Sequence, residues 1–273
     1  MLNQKQVEEI KSLQQQCETF ENIELKLNWD MLRNRENDDD DFLHYEEGKL
    51  VGFLGLYGFG ESYELCGMIH PQVRRKGVFT LLFNKAITSL KQRNVTKLLV
   101  NAPASSLSAQ RFLSSIPAKY DFSEYQMKWN EQSLETGNQE VILRSAKSED
   151  DSYIVNLDVI CFNVPEKDAK AFVEIGEKEE QIRYIIERNG KQVGKIQVQR
   201  ENGESYLFGF AVHPDFQGKG IGRVALAQTV KIEAEHTRKI YLEVAVKNAN
   251  ALKLYESTGF VTYQTQDYYQ YPL

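Results

Sequence analysis

A glycine-rich turn follows an apolar run in the second half of the chain, and its residues could bind a phosphate. Residues 206–212 are aromatic and aliphatic, which indicates a buried strand, and Pro214 prevents that strand from continuing. Gly218, Gly220 and Gly222 come next, before apolar residues at helical spacing. Glycines at a strand-to-helix junction let a ligand approach the backbone, and the free N–H groups at a helix start attract phosphate oxygens. The pattern therefore predicts an anion site.

The spacing of this turn excludes two common phosphate loops. A P-loop requires serine or threonine after its lysine, but Lys219 is followed by Gly220. The dinucleotide fingerprint requires a small residue at the position of Arg223. The pattern that fits is Gln217-x-x-Gly220-x-Gly222 after a strand, and in this the chain resembles the GNAT superfamily of acyl-CoA N-acyltransferases. An ordinary glycine-rich turn is the alternative.

A second motif, nearer the carboxyl end, strengthens the resemblance. Residues 248–260 follow the pattern Asn-x-x-Ala-x-x-Leu-Tyr-x-x-x-Gly-Phe and come after the run Leu-Glu-Val at residues 242–244. This arrangement is similar to the carboxyl-terminal motif of GNAT enzymes, and most closely to ribosomal-protein-type amino-terminal acetyltransferases. The two motifs together span residues 206–260, and a weaker resemblance covers roughly residues 48–100.

The resemblance implies where the co-substrate acetyl-CoA would bind. In the GNAT fold the central strand separates from its neighbour, and the pantetheine arm would bond to the backbone of Phe210, Ala211 and Val212 like an added strand. The pyrophosphate would lie on the glycine turn. The other positions that the resemblance assigns to the donor are Gln217, Gly218, Lys219, Gly220, Ile221, Gly222, Arg223 and Asn248. The two cations among them would either contact phosphate or only be solvated.

The resemblance also implies two catalytic residues. Tyr255 matches the general acid of the family, because a phenol with a pKa of about 10 can protonate a departing thiolate of similar basicity. Its alternative role is that of a core tyrosine packed on Phe260. Glu243 matches a general base that takes the proton of the amine, and a glutamate in an otherwise apolar strand is costly to bury without a partner. Its alternative role is structural.

The elements that would position these residues occur twice in the chain. Residues 61–71 align with residues 204–214 at a constant offset of 143, and residues 74–79 then fall on the glycine turn. Farther upstream, residues 48–52 match residues 190–194 with a slip of one residue. Identities in this order indicate an internal duplication of roughly 140 residues.

We therefore predict an α/β (α+β) protein with two tandem GNAT domains. Each would be a mixed, mostly antiparallel sheet flanked by helices, with a splayed central strand pair. A degenerate GNAT-like domain would cover residues 1–130, a polar linker residues 131–140, and the catalytic domain residues 141–273.

The first copy departs from the catalytic pattern. Phe79 stands where the second copy has Gly222, and its side chain would crowd the turn. Phe112 lies near the place of Tyr255, and no Gly-Phe closure follows it. These differences predict that the first copy is catalytically degenerate and shapes the acceptor pocket or an interdomain face.

Composition and charge limit the partners. A net charge of −6 over 273 residues argues against a nucleic-acid partner bound on a broad basic face. There is no apolar signal core and no long apolar segment, which predicts no membrane partner. The three widely spaced cysteines disfavour a disulfide framework or a zinc site and suit the cytoplasm. We expect no metal, and a homodimer is left open.

The expected activity is transfer of an acetyl group from acetyl-CoA to a primary amine. The acceptor would be a small molecule or a peptide, attacked directly in a ternary complex, and nothing in the sequence selects it. A non-catalytic acyl-CoA-binding or scaffold protein is the alternative. A peptide-binding protein built on the first copy is a third interpretation.

Overall fold

A computed structural model describes residues 2–35, 39–135, 140–178 and 181–273. Its contacts divide the chain into two compact units. Unit 1 comprises Met1–Glu124 and Gln264–Leu273, and unit 2 comprises Tyr125–Tyr263.

Unit 1 is a mixed sheet with helices on both faces. Its helices are α1 (Gln4–Glu21), α2 (Trp29–Arg33), α3 (Val78–Leu90) and α4 (Leu107–Leu113), and its strands are β1 (Asp41–Glu46), β2 (Lys49–Phe59), β3 (Ser62–Ile69) and β4 (Lys97–Pro103), with parts of β5 (Lys119–Trp129) and β11 (Phe260–Tyr271). The strand order is β1-β2-β3-β4-β11-β5. Successive side chains of β2 point to opposite faces, so Phe53 packs with Ile10 of α1 while Leu54 packs with Leu82 of α3.

Unit 2 repeats this architecture. Its elements are β6 (Val141–Ser145), α5 (Asp151–Phe162), α6 (Glu166–Lys178), β7 (Ile182–Arg188), β8 (Lys191–Glu201), β9 (Glu204–Val212), α7 (Ile221–Ala234), β10 (Ile240–Ala245) and α8 (Ala249–Ser257). The strand order is β5-β10-β9-β8-β7-β6. Ile185 of β7 packs with Ile154 of α5, and Ile186 packs with Ala225 of α7. The predicted mixed sheet flanked by helices is thus confirmed in both copies.

Two strands pass from one unit to the other. β5 leaves unit 1 after Glu124, and β11 returns to it at Gln264. The division predicted at residues 130 and 141 differs from this one, because the pairing of β11 with β4 leaves no signature in the sequence. Part of the predicted linker, residues 136–139, lies outside the described residues. None of the helices within the described ranges is long and apolar enough to cross a membrane.

Asp150, just before α5, is expected to stabilise unit 2 in a pH-dependent way. Asp150 is 1% exposed, and Arg144 donates hydrogen bonds of 2.7 and 2.8 Å to its two carboxylate oxygens. These bonds lower the pKa of the carboxyl from 3.8 to about 2. Because the folded pKa lies below the unfolded one, a stabilisation of about 2 kcal/mol is present above roughly pH 4 and is lost as the pH falls toward 2.

We therefore expect Asp150→Asn to lower the free energy of unfolding of unit 2 by about 2 kcal/mol at pH 7 and by much less near pH 2. Urea denaturation at the two pH values measures this difference. Glu149→Gln is the control, because the Glu149 side chain is 73% exposed. Equal effects of the two substitutions at pH 7 would contradict the prediction.

Candidate active site

The central strand of unit 2, β9, separates from its parallel neighbour β10. The two strands pair only where residues 205–207 lie opposite residues 240–242, yet β9 continues to Val212. The predicted pantetheine-binding residues Phe210 and Ala211 lie in this continuation, together with Val212. Backbone N–H and C=O groups on that side have no ladder partner in β10, so an extended ligand could use them.

A β-bulge explains why β9 turns away. Gln197 of β8 pairs with Phe208 of β9. Two residues earlier in β8, Lys195 pairs with Ala211, so β9 contains one extra residue here. Gly209 in the bulge has a φ of 55°, and a Cβ at this position would collide with the Oε1 atom of Gln197. A bulge bends and twists its strand, which separates the end of β9 from β10.

The same bulge accounts for the slip between the two copies. In unit 1, β2 and β3 pair without a register shift. Unit 2 therefore holds one more residue between Gly194 and Val212 than unit 1 holds between Gly52 and Ile69. The offset is 142 residues before the bulge (52 to 194) and 143 after it (69 to 212). The predicted constant offset of 143 is thus wrong by one residue in the first part of the strand.

The glycine turn is open on the side away from the core. Gly218 and Gly220 have φ values of 71° and 77°, and a Cβ added at either would meet nothing within 4 Å. The helix α7 begins at Ile221, whose buried side chain anchors its first turn. Gln217 is fixed because its Nε2 atom donates a 2.9 Å hydrogen bond to the carbonyl oxygen of Val212. A phosphate could therefore approach the N–H groups of this turn unhindered.

The remaining turn residues differ in their surroundings. The Nζ atom of Lys219 donates a 2.7 Å hydrogen bond to the backbone carbonyl oxygen of Asp215, and Arg223 is exposed. Gly222 faces inward, where an added Cβ would lie 3.4 Å from Leu254 and 3.6 Å from Phe210. A larger side chain at this position would press on both neighbours.

Tyr255 lies in apolar surroundings in α8. Its ring centroid is 6.4 Å from that of Phe210 and 6.1 Å from that of Phe260. Burial raises the pKa of the phenol to about 12, so the hydroxyl holds its proton at neutral pH. Such a group can donate a proton beside the open part of β9. The contact with Phe260 is also what a purely structural tyrosine would make.

Glu243 is exposed, so the expectation of a buried carboxylate is wrong. Its neighbours Leu242 and Val244 are buried, because successive side chains of β10 point to opposite faces. Glu243 is the first residue of β10 beyond the last pair with β9, and it therefore borders the separated strands. The Nε2 atom of Gln126 donates a 3.1 Å hydrogen bond to its carboxylate. An exposed carboxylate at this place remains accessible to a dissolved amine.

Sequence reasoning missed Gln126, Gln197 and Gly209. Gln126 is 7% exposed, and its Oε1 atom has no hydrogen-bond partner. No pattern in the sequence marks it, because β5 lies far from β10 along the chain. The slip between the copies was the available signal for the bulge at Gly209.

Asn248 caps the helix that carries Tyr255. Its side-chain oxygen accepts a 3.1 Å hydrogen bond from the N–H of Ala251, which satisfies one free donor at the start of α8. The structure thus brings Tyr255, Phe210 and Gly222 together, with Glu243 at the edge of the same gap. Asn248 contributes the cap of α8, the helix that carries Tyr255.

The corresponding positions of unit 1 contain neither an acid nor a base. Asn101 is the first residue of β4 beyond the last β3–β4 pair, which is the position of Glu243 in β10. Counted from the residue that caps each helix, Leu113 in α4 takes the position of Tyr255 in α8. Phe112, which was predicted to lie near this place, is the adjacent residue.

The ring of Phe79 packs against α4 and β3 in unit 1, and the expectation that it crowds the turn stays a prediction. The centroid of this ring lies 4.5 Å from that of Phe112, and a Cβ on Gly67 would be 3.0 Å from the ring. In unit 2 the corresponding residues are Phe210 in the strand and Gly222 after the turn. In unit 1 the glycine is in the strand and the phenylalanine in the helix, whereas in unit 2 the phenylalanine is in the strand and the glycine in the helix. One aromatic ring therefore fills the space between strand and helix in both units.

The residues of unit 2 fit acetyl-CoA. The open stretch of β9 offers backbone groups to an extended arm, and the unobstructed turn offers N–H groups and a cationic flank to phosphates. In the parts of the chain that the structure describes, no group of three or more histidine, cysteine or acidic side chains could hold a metal ion.

Comparisons with known proteins identify relatives of both copies. The Acetyltransferase (GNAT) family matches residues 7–115 and 152–260. The [ribosomal protein bS18]-alanine N-acetyltransferase of Escherichia coli (strain K12) is 36% identical over 83 residues, which cover 30% of this chain and 56% of that protein. The mycothiol acetyltransferase of Streptomyces coelicolor is 30% identical over 92 residues, 32% of this chain and 29% of that protein. The chain therefore spans about half of the first relative and less than a third of the second.

Solved structures extend the likeness over nearly the whole chain. A GCN5-related N-acetyltransferase from Sphaerobacter thermophilus superposes with a TM-score of 0.81 at 16% identity, covering 96% of this chain and 91% of that one. A tandem GNAT protein from the clavulanic acid biosynthesis pathway gives a TM-score of 0.73 at 15% identity, with 98% and 95% covered. At such identities the likeness shows the fold alone. Since the family matches most of the chain in two successive regions, this protein belongs to the GNAT acetyltransferase family and contains its domain twice.

Proposed function

We propose that this protein is an N-acetyltransferase that moves an acetyl group from acetyl-CoA directly to a primary amine of a small molecule or peptide, and that unit 2 is the catalytic unit. The observation that carries the proposal is the buried, protonated phenol of Tyr255. Its ring lies beside Phe210, which belongs to the stretch of β9 that no longer pairs with β10. Membership of the acetyltransferase family supports the reaction class.

The donor would be held mainly by backbone groups. Acetyl-CoA supplies an activated acetyl thioester. Phe210, Ala211 and Val212 would bind its pantetheine arm, and the N–H groups of residues 217–222 would bind its phosphates. Arg223 and Lys219 would add positive charge next to those phosphates.

Two side chains would move protons. Glu243 would take a proton from the attacking amine, and its exposed position gives it access to an acceptor that arrives from solvent. Tyr255 would donate a proton to the sulfur as the C–S bond breaks and the C–N bond forms. Burial raises the pKa of the phenol to about 12, above the roughly 8.5 of an ordinary thiol, so the close match expected from the sequence is not met. The phenol would therefore keep its proton through the rest of the cycle and give it to the sulfur only as the C–S bond breaks.

Transfer is tested with acetyl-CoA and a panel of amines. A peptide that begins with alanine is included because of the bS18 relative, with an amino sugar and a free amino acid beside it. Amine-dependent release of free thiol, with the acetylated product identified by mass, is the expected result. Binding of acetyl-CoA without transfer to any amine would favour the non-catalytic acyl-CoA-binding alternative.

Glu243→Gln should lower kcat/KM for the amine by about tenfold to a hundredfold at pH 7. A glutamine cannot take the proton of an ammonium ion, whereas at high pH the amine is already deprotonated. The deficit should therefore shrink as the pH approaches the pKa of the amine, and a pH series of initial rates measures it. Glu256→Gln in α8 is the control, and a deficit that does not change with pH would contradict the assignment.

A further inference from the structure

Unit 1 contains a cavity of about 1090 Å³ that the proposed reaction does not use. It is lined by the last residues of β3 and β4, where those strands no longer pair, and by residues of α1, α3 and α4. Cavities that bind small molecules commonly measure roughly 300 to 1000 Å³, so this one could enclose a sizeable ligand.

Positive charge without a partner lies on the cavity wall. Arg75 and Arg111 both line it and are exposed, and neither forms an ion pair within the described residues. Arg74 differs, because it is paired with the carboxylate of Glu21, which also accepts a 2.6 Å hydrogen bond from Ser106. Two free guanidinium groups can bind the oxygens of a carboxylate or phosphate in pairs.

Asn101, one of the residues that line the cavity, contains a buried acceptor without a donor. Asn101 is 5% exposed, and its Nδ2 atom donates a 3.1 Å hydrogen bond to Glu64. Its Oδ1 atom has no hydrogen-bond partner. A buried carbonyl oxygen without a donor is costly, so a ligand with an N–H or O–H group would be favoured here.

Apolar residues line a further part of the cavity. Leu65, Val100 and Leu113 form part of its buried wall. Phe20 and Leu107 also line it, and they are 67% and 64% exposed although both are large apolar residues. Exposed apolar side chains around a cavity favour an apolar chain that would cover them.

The cavity lies in unit 1 at the place that the donor site takes in unit 2, but its residues differ from those of the donor site. The central strand of unit 1 has no register shift against β2, whereas β9 has its bulge. The first residue beyond the paired part is Asn101 instead of Glu243, and the carboxylate of Glu21 adds negative charge beside the turn. These differences disfavour a ligand that carries several phosphates.

We propose that this cavity binds an amphipathic organic anion. Its carboxylate or phosphate head would contact Arg75 and Arg111, an N–H or O–H group near the head would donate to Asn101, and its apolar chain would pack along the wall that includes Phe20 and Leu107. N-acyl amino acids combine these features.

Calorimetric titration of the full chain with N-decanoylglycine tests the proposal. One site per chain is expected. Decanoate, which lacks the N–H group, and N-decanoylglycinamide, which lacks the charge, should each bind about tenfold more weakly. N-decanoyl-O-phosphoethanolamine carries a phosphate instead, so its affinity relative to N-decanoylglycine tells which head the site prefers.

Variants show whether the ligand occupies this cavity. The double variant Arg75→Gln, Arg111→Gln changes only exposed side chains. It should weaken the binding of N-decanoylglycine by about tenfold or more, whereas N-decanoylglycinamide should bind equally to the wild type and the variant. Asn101→Leu should remove the preference for N-decanoylglycine over decanoate. Gly220→Glu in unit 2 should change nothing, which separates this proposal from the proposed reaction. No binding of any of these ligands, an unchanged affinity in the double variant, or a loss caused by Gly220→Glu would overturn the proposal.

Discussion

Gly220→Glu is expected to abolish the binding of acetyl-CoA, weakening it by about a hundredfold or more. The backbone at Gly220 has a φ of 77°, which a residue with a Cβ adopts only at a cost of about 1 to 2 kcal/mol. The new carboxylate would also lie beside the N–H groups that we assign to the phosphates. Calorimetric titration of acetyl-CoA into the two proteins measures the difference.

Unit 1 supplies a matched control for this substitution. Gly77 has a φ of 82° and, like Gly220, has no atom within 4 Å of an added Cβ. Gly77→Glu therefore carries the same backbone strain and the same charge, but it should leave acetyl-CoA binding unchanged. Two sites per chain in the wild type, one of them removed by Gly77→Glu, would show that unit 1 binds the donor as well.

Tyr255→Phe should lower kcat by about a hundredfold to a thousandfold. The substitution keeps the ring contacts with Phe210 and Phe260 and removes only the hydroxyl that we assign to protonation of the thiolate. The dissociation constant of acetyl-CoA and the free energy of unfolding should therefore change little. Steady-state kinetics at saturating amine, beside calorimetry and denaturation, separate these effects.

Tyr206→Phe is the matched control, because its hydroxyl bonds to Glu204 in the paired part of β9 at 2.6 Å. It should leave kcat unchanged.

The pH dependence of kcat gives a further check on Tyr255. Since burial raises the pKa of Tyr255 to about 12, the ionisation of Tyr255 should cause no fall in kcat below roughly pH 10. Full activity of Tyr255→Phe would instead identify Tyr255 as a core residue only.

The features that the sequence predicted well are local ones. The glycine turn depends on a few successive residues, whose backbone preferences act over one turn of chain. Gly218 and Gly220 adopt the positive φ values that such a turn requires. The role of Asn248 as the cap of α8 was not predicted, because the resemblance had assigned this residue to the donor.

The features that escaped prediction depend on pairing between distant segments. The bulge is defined by the register of β9 against β8, and the place of Glu243 by where β10 stops pairing with β9. An apolar run such as residues 240–246 also does not tell which of its side chains faces solvent. The exposure of Glu243 therefore became visible only in the folded sheet.

The return of β11 to unit 1 affects the order in which the protein can complete its fold during synthesis. Gln266 to Tyr271 pair with residues 98–103 of β4, so this edge of the first unit stays unsatisfied while the ribosome translates the whole of the second. An exposed strand edge invites pairing with other chains. A ribosome that stalls before codon 264 would therefore leave an aggregation-prone amino-terminal unit, although every residue missing from the nascent chain lies far away in the sequence.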